Sequence, residues 1–417
     1  MKRVMKCIAC LLAIVVLAVA VFIMVKLNKK FPDEIVFGEE MQTFSDNGMY
    51  FIKNNRVCFI DNATGKDVVV CNRANCEHND KTCNAYISGL IVDMMVYDKY
   101  IYISCFDYET IFGEDGEFTE EGITKLIRLG IDGAHRKDIY SADSGAVLSM
   151  MAMGDTIYFT AYTRHGEFEV NVYDHDTAIY AYNIRWDKLE RVKDYAHTEG
   201  RTSEAVYIIG NLDKETLYIW HGYVEGVNDG TNPSVYIYEK VNIDTGETIE
   251  LRTFRFKAVE KLFNVVIDKE KKYLREETWS PVDILTMSEC DDNFIEIKEL
   301  FTAENARVDW LGGYMHIVAS DYLKALYDYE EDRWYIAKTS FTQEGTYISD
   351  IKKVDRDKNV VYIDATDYTG YKPGDALPGD ISNKAVRDWS IFLEENFIPY
   401  EDLTEEQLKS LTWIDIK

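Results

Sequence analysis

Histidine and proline are scarce in this 417-residue sequence, with 7 and 6 copies. Seven histidines leave little material for hydrolase machinery. No H-E-x-x-H pair, G-x-S-x-G elbow or phosphate-cradling P-loop occurs. The shortage of proline excludes long Pro-rich stalks or linkers. Lysine and arginine total 46 against 73 acidic residues, a formal net charge of −27. Such a field repels nucleic acid, and no Lys/Arg cluster outside the N-terminal flank is present to capture phosphates. Acidity keeps a domain soluble and suits cations or cationic partners.

Apolar and aromatic material is plentiful: 47% hydrophobic and 13% aromatic, with 29 tyrosines. That is ample for a packed core and excludes a disordered chain. Tyrosine favours strands because its ring packs on a pleated, half-buried surface.

Lys2, Arg3 and Lys6 precede an unbroken apolar run from Cys7 to Val25, closed by Lys26, Lys29 and Lys30. At about 1.5 Å per residue a helix of this run spans the hydrocarbon layer of a bilayer. Ala18-Val19-Ala20 has the form of a signal-peptidase site, but Val21 to Val25 prolongs the apolar run beyond it, so the expectation is an uncleaved anchor. Cys7 and Cys10 lie at the start of the run, which excludes a lipobox. The basic flanks nearly tie, and the α-amino group tips the N-terminus inward. The expected location is the cell membrane, single-pass, with the C-terminal domain extracytoplasmic.

The expected organisation is an anchor over 1–30, a linker over 31–44 and a repeat domain over 45–417. The repeat is an apolar-Tyr-apolar strand after a polar turn: Met49-Tyr50-Phe51, Ile101-Tyr102-Ile103, Ile157-Tyr158-Phe159, Leu217-Tyr218-Ile219 and Val361-Tyr362-Ile363, with Tyr314-Met315-His316-Ile317 a weaker member. A second strand follows each, as in Arg56–Ile60 and Ala325–Tyr329, then tight turns such as Asp132-Gly133 and Asp244-Thr245-Gly246. Val68–Val70 closes the first unit as a third strand. A period of about 45–60 residues with several short strands per unit predicts an all-β fold, a β-propeller. The count is about seven blades, one weak (Phe263 to Leu300), and six or eight also fit. A chain of β-sandwiches is the alternative architecture.

Phe106–Gly122 and Tyr223–Pro233 read as long insertions. Ser382–Phe397 has helical spacing at Val386, Trp389 and Phe392-Leu393, and Thr404-Glu405-Glu406-Gln407 has the form of a capping box. Short helices are therefore expected at about 382–411, and Thr412–Ile416 reads as a returning strand.

The strongest local signal is Cys71-x4-Cys76-x-His78-x4-Cys83. Three thiols and an imidazole within a short polar loop are the ligand set of a structural Cys3His zinc site, although the spacing departs from the common C-x2-C pairs. The alternatives are disulfides, for which three cysteines are an odd number and would draw on Cys58, Cys105 or Cys290, and free thiols. Four protein ligands leave no open position, so either role is structural. Cys71, then Cys76-Glu77-His78, then Cys83-Asn84-Ala85-Tyr86 resembles a motif of membrane- or lipid-anchored propeller proteins of Gram-positive bacteria, which carry a domain of unknown function of the TolB-like propeller type. The resemblance covers the cluster closely and the repeats loosely. It implies a propeller and a surface location and brings no activity. The sequence departs from it in having a membrane helix where relatives carry a lipobox.

No catalytic residue and no cofactor other than zinc is assigned. Tyr173-Asp174-His175-Asp176 reads as a polar hairpin loop, with cation binding as its rival. Asp355-Arg356-Asp357-Lys358-Asn359 opens like a calcium loop but has Val360 where glycine is required. His221-Gly222-Tyr223 reads as core or rim packing. The expected function is a non-catalytic binding or sensing propeller for a peptide, glycan or envelope protein. The alternatives are a carbohydrate-active or other hydrolytic propeller and a scaffold subunit of an envelope complex.

Overall fold

The computed structural model describes residues 2–32, 35–38, 41–79, 81–107, 123–143, 145–164, 175–226, 231–257, 261–268, 271–279, 282–320, 323–338, 342–343, 346–367 and 383–417. Most of the insertion read at Phe106–Gly122 and residues 227–230 of the second lie outside the described residues, as do Tyr173 and Asp174.

Seven antiparallel sheets follow one another along the chain, each a meander in sequence order. The chain is a seven-bladed β-propeller. The first blade takes Gln42–Ser45, Gly48–Lys53, Arg56–Asp61 and Asp67–Val69. The second takes Leu90–Tyr97, Tyr100–Asp107, Ile123–Gly130 and Lys137–Asp143. The third takes Gly145–Met153, Thr156–Arg164, His175–Asn183 and Lys188–Tyr195. Arg201–Asp213, Thr216–Glu225, Pro233–Asn242 and Thr248–Lys257 form the fourth. Lys261–Asp268, Lys271–Trp279, Asp283–Cys290 and Glu296–Glu304 form the fifth. The sixth is Arg307–Trp310, Tyr314–Val318, Lys324–Asp328 and Arg333–Ala337. The seventh is Thr342–Gln343, Thr346–Asp355, Val360–Asp367 and Asn383–Asp388.

In the first six blades the repeat strand lies second, one place later than the sequence suggests, and in the seventh it is the third strand, Val360–Asp367. Six blades open on a strand without the tyrosine signature, such as Leu-Ile-Val-Asp-Met-Met-Val-Tyr at 90–97, and only the fourth opens on one that carries it, Val206-Tyr207-Ile208. The third residue of the repeat strand is, blade by blade, Tyr50, Tyr102, Tyr158, Tyr218, Tyr273, His316 and Tyr362, all buried. Short turns set the register. Asn54 and Asn55 both adopt positive φ (52° and 57°) in the two-residue turn between Lys53 and Arg56, the geometry that matches strand twist.

Contacts divide the chain into two compact units. In the first, Ile101, Ile103, Ile127 and Leu129 of the second blade pack with Tyr50 and Val57 of the first. Tyr97, Tyr102 and Leu126 pack with Ile157 and Phe159 of the third. In the second unit, Tyr273, Met287 and Phe301 pack with Met315, Ile317 and Tyr327, and Leu326 and Tyr335 pack with Val361 and Ile363. Each such side chain contributes about 1.5–3 kcal/mol by leaving water, against the entropy of ordering the chain.

Strand pairing begins inside the stretch expected to be a linker. Val36–Phe37 pairs with Ala152 and Met151 on the inner edge of the third blade. The helical spacing at Ser382–Phe397 is half wrong. Asn383–Asp388 pairs with Val360–Ala365 as a strand, because a free strand edge supplies hydrogen bonds that the periodicity does not reveal. A helix then runs over Trp389–Asn396, capped by Asp388. Thr404 and Gln407 form the expected capping box of Glu405–Ser410. Ile414–Ile416 returns as a strand on the outer edge of the fifth blade.

A helix over Lys2–Asn28 precedes the blades. Arg185 holds its C-terminal end, donating to Leu27 O at 3.1 Å and Lys29 O at 3.0 Å. A cation there satisfies orphan carbonyls and opposes the negative end of the helix dipole. Among the described residues no helix is long and apolar enough to cross a membrane. Of this helix's side chains, those before Ile14 and that of Phe22 are outside the description.

Candidate metal centre

The four residues singled out in the sequence come together. Val70 N donates to Val57 O at 2.9 Å, and the chain then leaves the outer edge of the first blade. It returns to the same edge, where Val57 N donates to Ala85 O and Ile87 N to Asn55 O, both at 2.9 Å. Both ends of the excursion are thus tied to one strand, which brings Cys71 beside Cys83. Asn75 and His78 adopt positive φ (59° and 55°) and fold the loop back on itself.

The three Sγ atoms and an imidazole nitrogen all lie within 4.8 Å of one another. His78 Nδ1 is 3.4 Å from Cys83 Sγ. In a zinc tetrahedron, with bonds near 2.3 Å to sulfur and 2.0–2.1 Å to nitrogen, that edge is about 3.5 Å. Cys58, Cys71, Cys76, Cys83, Cys105 and Cys290 are not in disulfides. Burial pushes the Cys83 thiol up to about 11. Burial also opposes ionisation of Cys71, but hydrogen bonds from the backbone N–H of Arg73 and Asn84 outweigh it and hold that thiol below its ordinary value. Backbone donors aimed at a sulfur are the outer support that a thiolate ligand requires.

The loop is packed on the second blade. Asn84 Nδ2 donates to Gly133 O at 3.0 Å, and Arg136 Nη1 donates to Asn84 O at 3.0 Å. Gly133 has φ of 79°. A Cβ there would lie 2.6–2.7 Å from Cys71 Cα, Cys71 N and Val70 O, so backbone meets backbone. The cluster therefore fastens the outer edge of the first blade to a hairpin of the second.

Two further groups were not legible beforehand. His175 and His221, separate candidates in the sequence, converge on Glu204. His221 Nε2 is 2.6 Å from Glu204 Oε1, and His175 bonds Glu204 O. Asp309, His316 and Asp350 also place ligand atoms within 4.8 Å of one another. The protein's own cations reach these carboxylates: Arg307 Nε lies 3.2 Å from Asp309 Oδ2 and Lys352 Nζ lies 2.7 Å from Asp350 Oδ2. That leaves the Cys/His group as the stronger metal candidate. Asp355–Asn359 is a turn, with Lys358 N donating to Asp355 Oδ1 at 3.1 Å.

No family model matches the sequence, and no curated protein matches it. Solved structures do. An oligogalacturonate lyase in complex with manganese is 10% identical, with a TM-score of 0.44 over 80% of this chain and 88% of that one. A puromycin hydrolase is 9% identical, with a TM-score of 0.46 over 79% of this chain and 50% of that one. The β-propeller domain of the Trilobed protease from Pyrococcus furiosus is 12% identical, with a TM-score of 0.35 over 67% and 92%. The likeness is one of fold.

Proposed function

We propose that this chain is a membrane-anchored, extracytoplasmic propeller that binds a ligand, with a structural zinc ion at Cys71, Cys76, His78 and Cys83. The observation that carries the binding reading is a cavity of about 460 Å3 in the second unit. Its walls come from the facing ends of the second and third strands of the fifth and sixth blades and from residues 305–307 at the link between those blades. Antiparallel order sends these segments to one edge, where loops vary without disturbing the blades. The volume lies within the range of small-molecule sites.

The anchor rests on the apolar run Cys7–Val25 inside one helix and on Ile14, Val16, Leu17, Met24 and Val25, each at least 61% exposed to solvent in the folded chain. A lipid environment removes that apolar surface from water. Protease added to intact cells tests the orientation: the domain should be digested while a cytoplasmic control survives. Zinc is favoured because three sulfurs and one nitrogen form a closed, borderline-soft tetrahedral set. The anchored propellers of Gram-positive bacteria that the motif resembles remain the class to which this reading assigns the chain.

A hydrolytic reading has one observation in its favour. Burial, with a contribution from Asp350, holds the Asp309 carboxyl above its ordinary value despite Arg307. A raised carboxyl beside a second carboxylate is an acid–base arrangement. Hydrolysis of any glycoside or peptide by the full chain, abolished by Asp309→Asn, would replace the binding reading with this one.

A further inference from the structure

The cavity between the fifth and sixth blades carries more than its volume. Its wall holds two acids, Glu277 and Asp283, and two bases, Arg307 and Lys324, with the amide of Asn305 and the indole of Trp279. Equal numbers of acids and bases give the cavity no net charge with which to attract an ion. Glu277 and Arg307 are also engaged inside the protein. Arg275 Nε donates to Glu277 Oε1 at 2.6 Å, and Arg307 lies against Asp309. Beyond the cavity the chain carries a net charge of −27, which repels anions at long range.

Hydrogen-bonding capacity is what the wall offers. Carboxylates accept, ammonium and guanidinium groups donate, and an amide does both. Lys324 is only 2% exposed and presents almost no surface to a ligand, which leaves the acceptors and the Asn305 amide as the groups that a ligand meets. Trp279 closes the second strand of the fifth blade and is 37% exposed. An accessible indole offers a flat apolar face beside forked acceptors.

A ligand suited to this wall is neutral, dense in hydroxyl groups and has one apolar face. We infer that the cavity binds the end of a neutral saccharide, with its ring on Trp279 and its hydroxyls on Asp283, Glu277 and Asn305. This rests on the binding reading above and deepens it by naming the ligand class. A zwitterion is the rival chemistry, since acids and bases both face the cavity. It is disfavoured because neither base is open to its carboxylate: Arg307 is engaged by Asp309, and Lys324 is only 2% exposed.

The test uses the full chain, solubilised in a detergent without a sugar headgroup. It is titrated by calorimetry with neutral oligosaccharides ending in glucose, galactose, mannose or N-acetylglucosamine, and separately with amino acids and dipeptides. The expected result is binding of at least one neutral saccharide. Trp279→Ala and Asp283→Asn should each weaken it by about tenfold or more with unchanged melting temperatures. Saccharide binding that both variants leave intact places the site elsewhere and overturns the inference. Binding of an amino acid or dipeptide alone, lost in both variants, overturns the saccharide assignment and leaves the binding reading standing. No binding from either panel overturns both.

Discussion

His221 Nε2 lies 2.6 Å from Glu204 Oε1, and both residues are more than nine-tenths buried. Burial by itself would raise the Glu204 pKa. The hydrogen bond from His221, with the charges of His221 and Arg201, outweighs it and holds the carboxyl below its ordinary 4.5. A carboxylate depressed by folding stabilises the native state above its unfolded pKa, and that stabilisation is lost as pH falls through the folded value.

Glu204→Gln should therefore destabilise the protein at pH 7, by about 1–3 kcal/mol, because a charge-assisted bond is replaced inside a buried pair. The difference from wild type should shrink as the pH falls below 4.5, where the unfolded chain binds a proton that the native carboxylate still refuses, and vanish once the native carboxylate is protonated too. Thermal melts of both proteins from pH 7 to pH 3 check this. A difference independent of pH would mean that Glu204 contributes through packing alone.

His316 occupies the place that tyrosine holds in the other six blades. It is fully buried, and burial lowers its pKa from 6.5 to about 3. Below pH 6.5 the unfolded chain binds a proton that the native chain refuses, so stability falls with pH between 6.5 and about 3. The slope from this residue approaches 1.4 kcal/mol per pH unit. His316→Tyr should remove that slope while keeping a ring of the kind six blades already bury. An unchanged acid slope in urea titrations at successive pH values would assign the acid sensitivity to other groups.

The blades were legible because of one residue type at one place. Tyrosine at the third position of the repeat strand leaves an apolar-Tyr-apolar signature that recurs, and Thr404 to Gln407 marks a helix start just as directly. The first strand leaves no such mark in any blade but the fourth. Sequences such as Gly145–Met153 are apolar with little alternation, as expected of strands covered on both faces. The cysteine cluster was visible because its ligands lie within thirteen residues. Glu204 and His221 were not paired beforehand, since 73 acidic residues give no reason to select one. The cavity was illegible for the same reason: Trp279, Arg307 and Lys324 belong to three strands, and only the fold brings them together.

Gly133 separates backbone strain from backbone contact. Its φ of 79° and that of Gly65, 64°, both lie in the left-handed region. Alanine at Gly65 would meet no atom within 4 Å, so it should cost only the conformational penalty, about 1–2 kcal/mol. Alanine at Gly133 would meet Cys71 backbone at 2.6 Å. Gly133→Ala should cost clearly more and should also weaken metal binding, because relieving the clash moves Cys71. Equal melting temperatures for the two variants would show that the cluster does not depend on its seat against the second blade.

Metal removal distinguishes the zinc staple from its oxidative rival. A ligand that binds only the native state stabilises it by RT ln(1 + [L]/Kd), about 2.7 kcal/mol at a hundredfold excess over Kd. The wild-type chain should therefore melt higher as free zinc is raised and lower after treatment with a chelator. Cys76→Ser should flatten both responses, since serine replaces one of three thiolates that hold the ion. A disulfide staple predicts a different pattern: indifference to chelator, sensitivity to reductant and no zinc in the purified chain. The four ligand atoms are already gathered within 4.8 Å on a loop fastened at both ends, so most of the ordering cost falls on folding rather than on metal binding. Zinc should then bind without a large change in backbone protection. Hydrogen exchange across 71–86, measured with and without the ion, would reveal a wholesale folding of the loop on binding if that expectation were wrong.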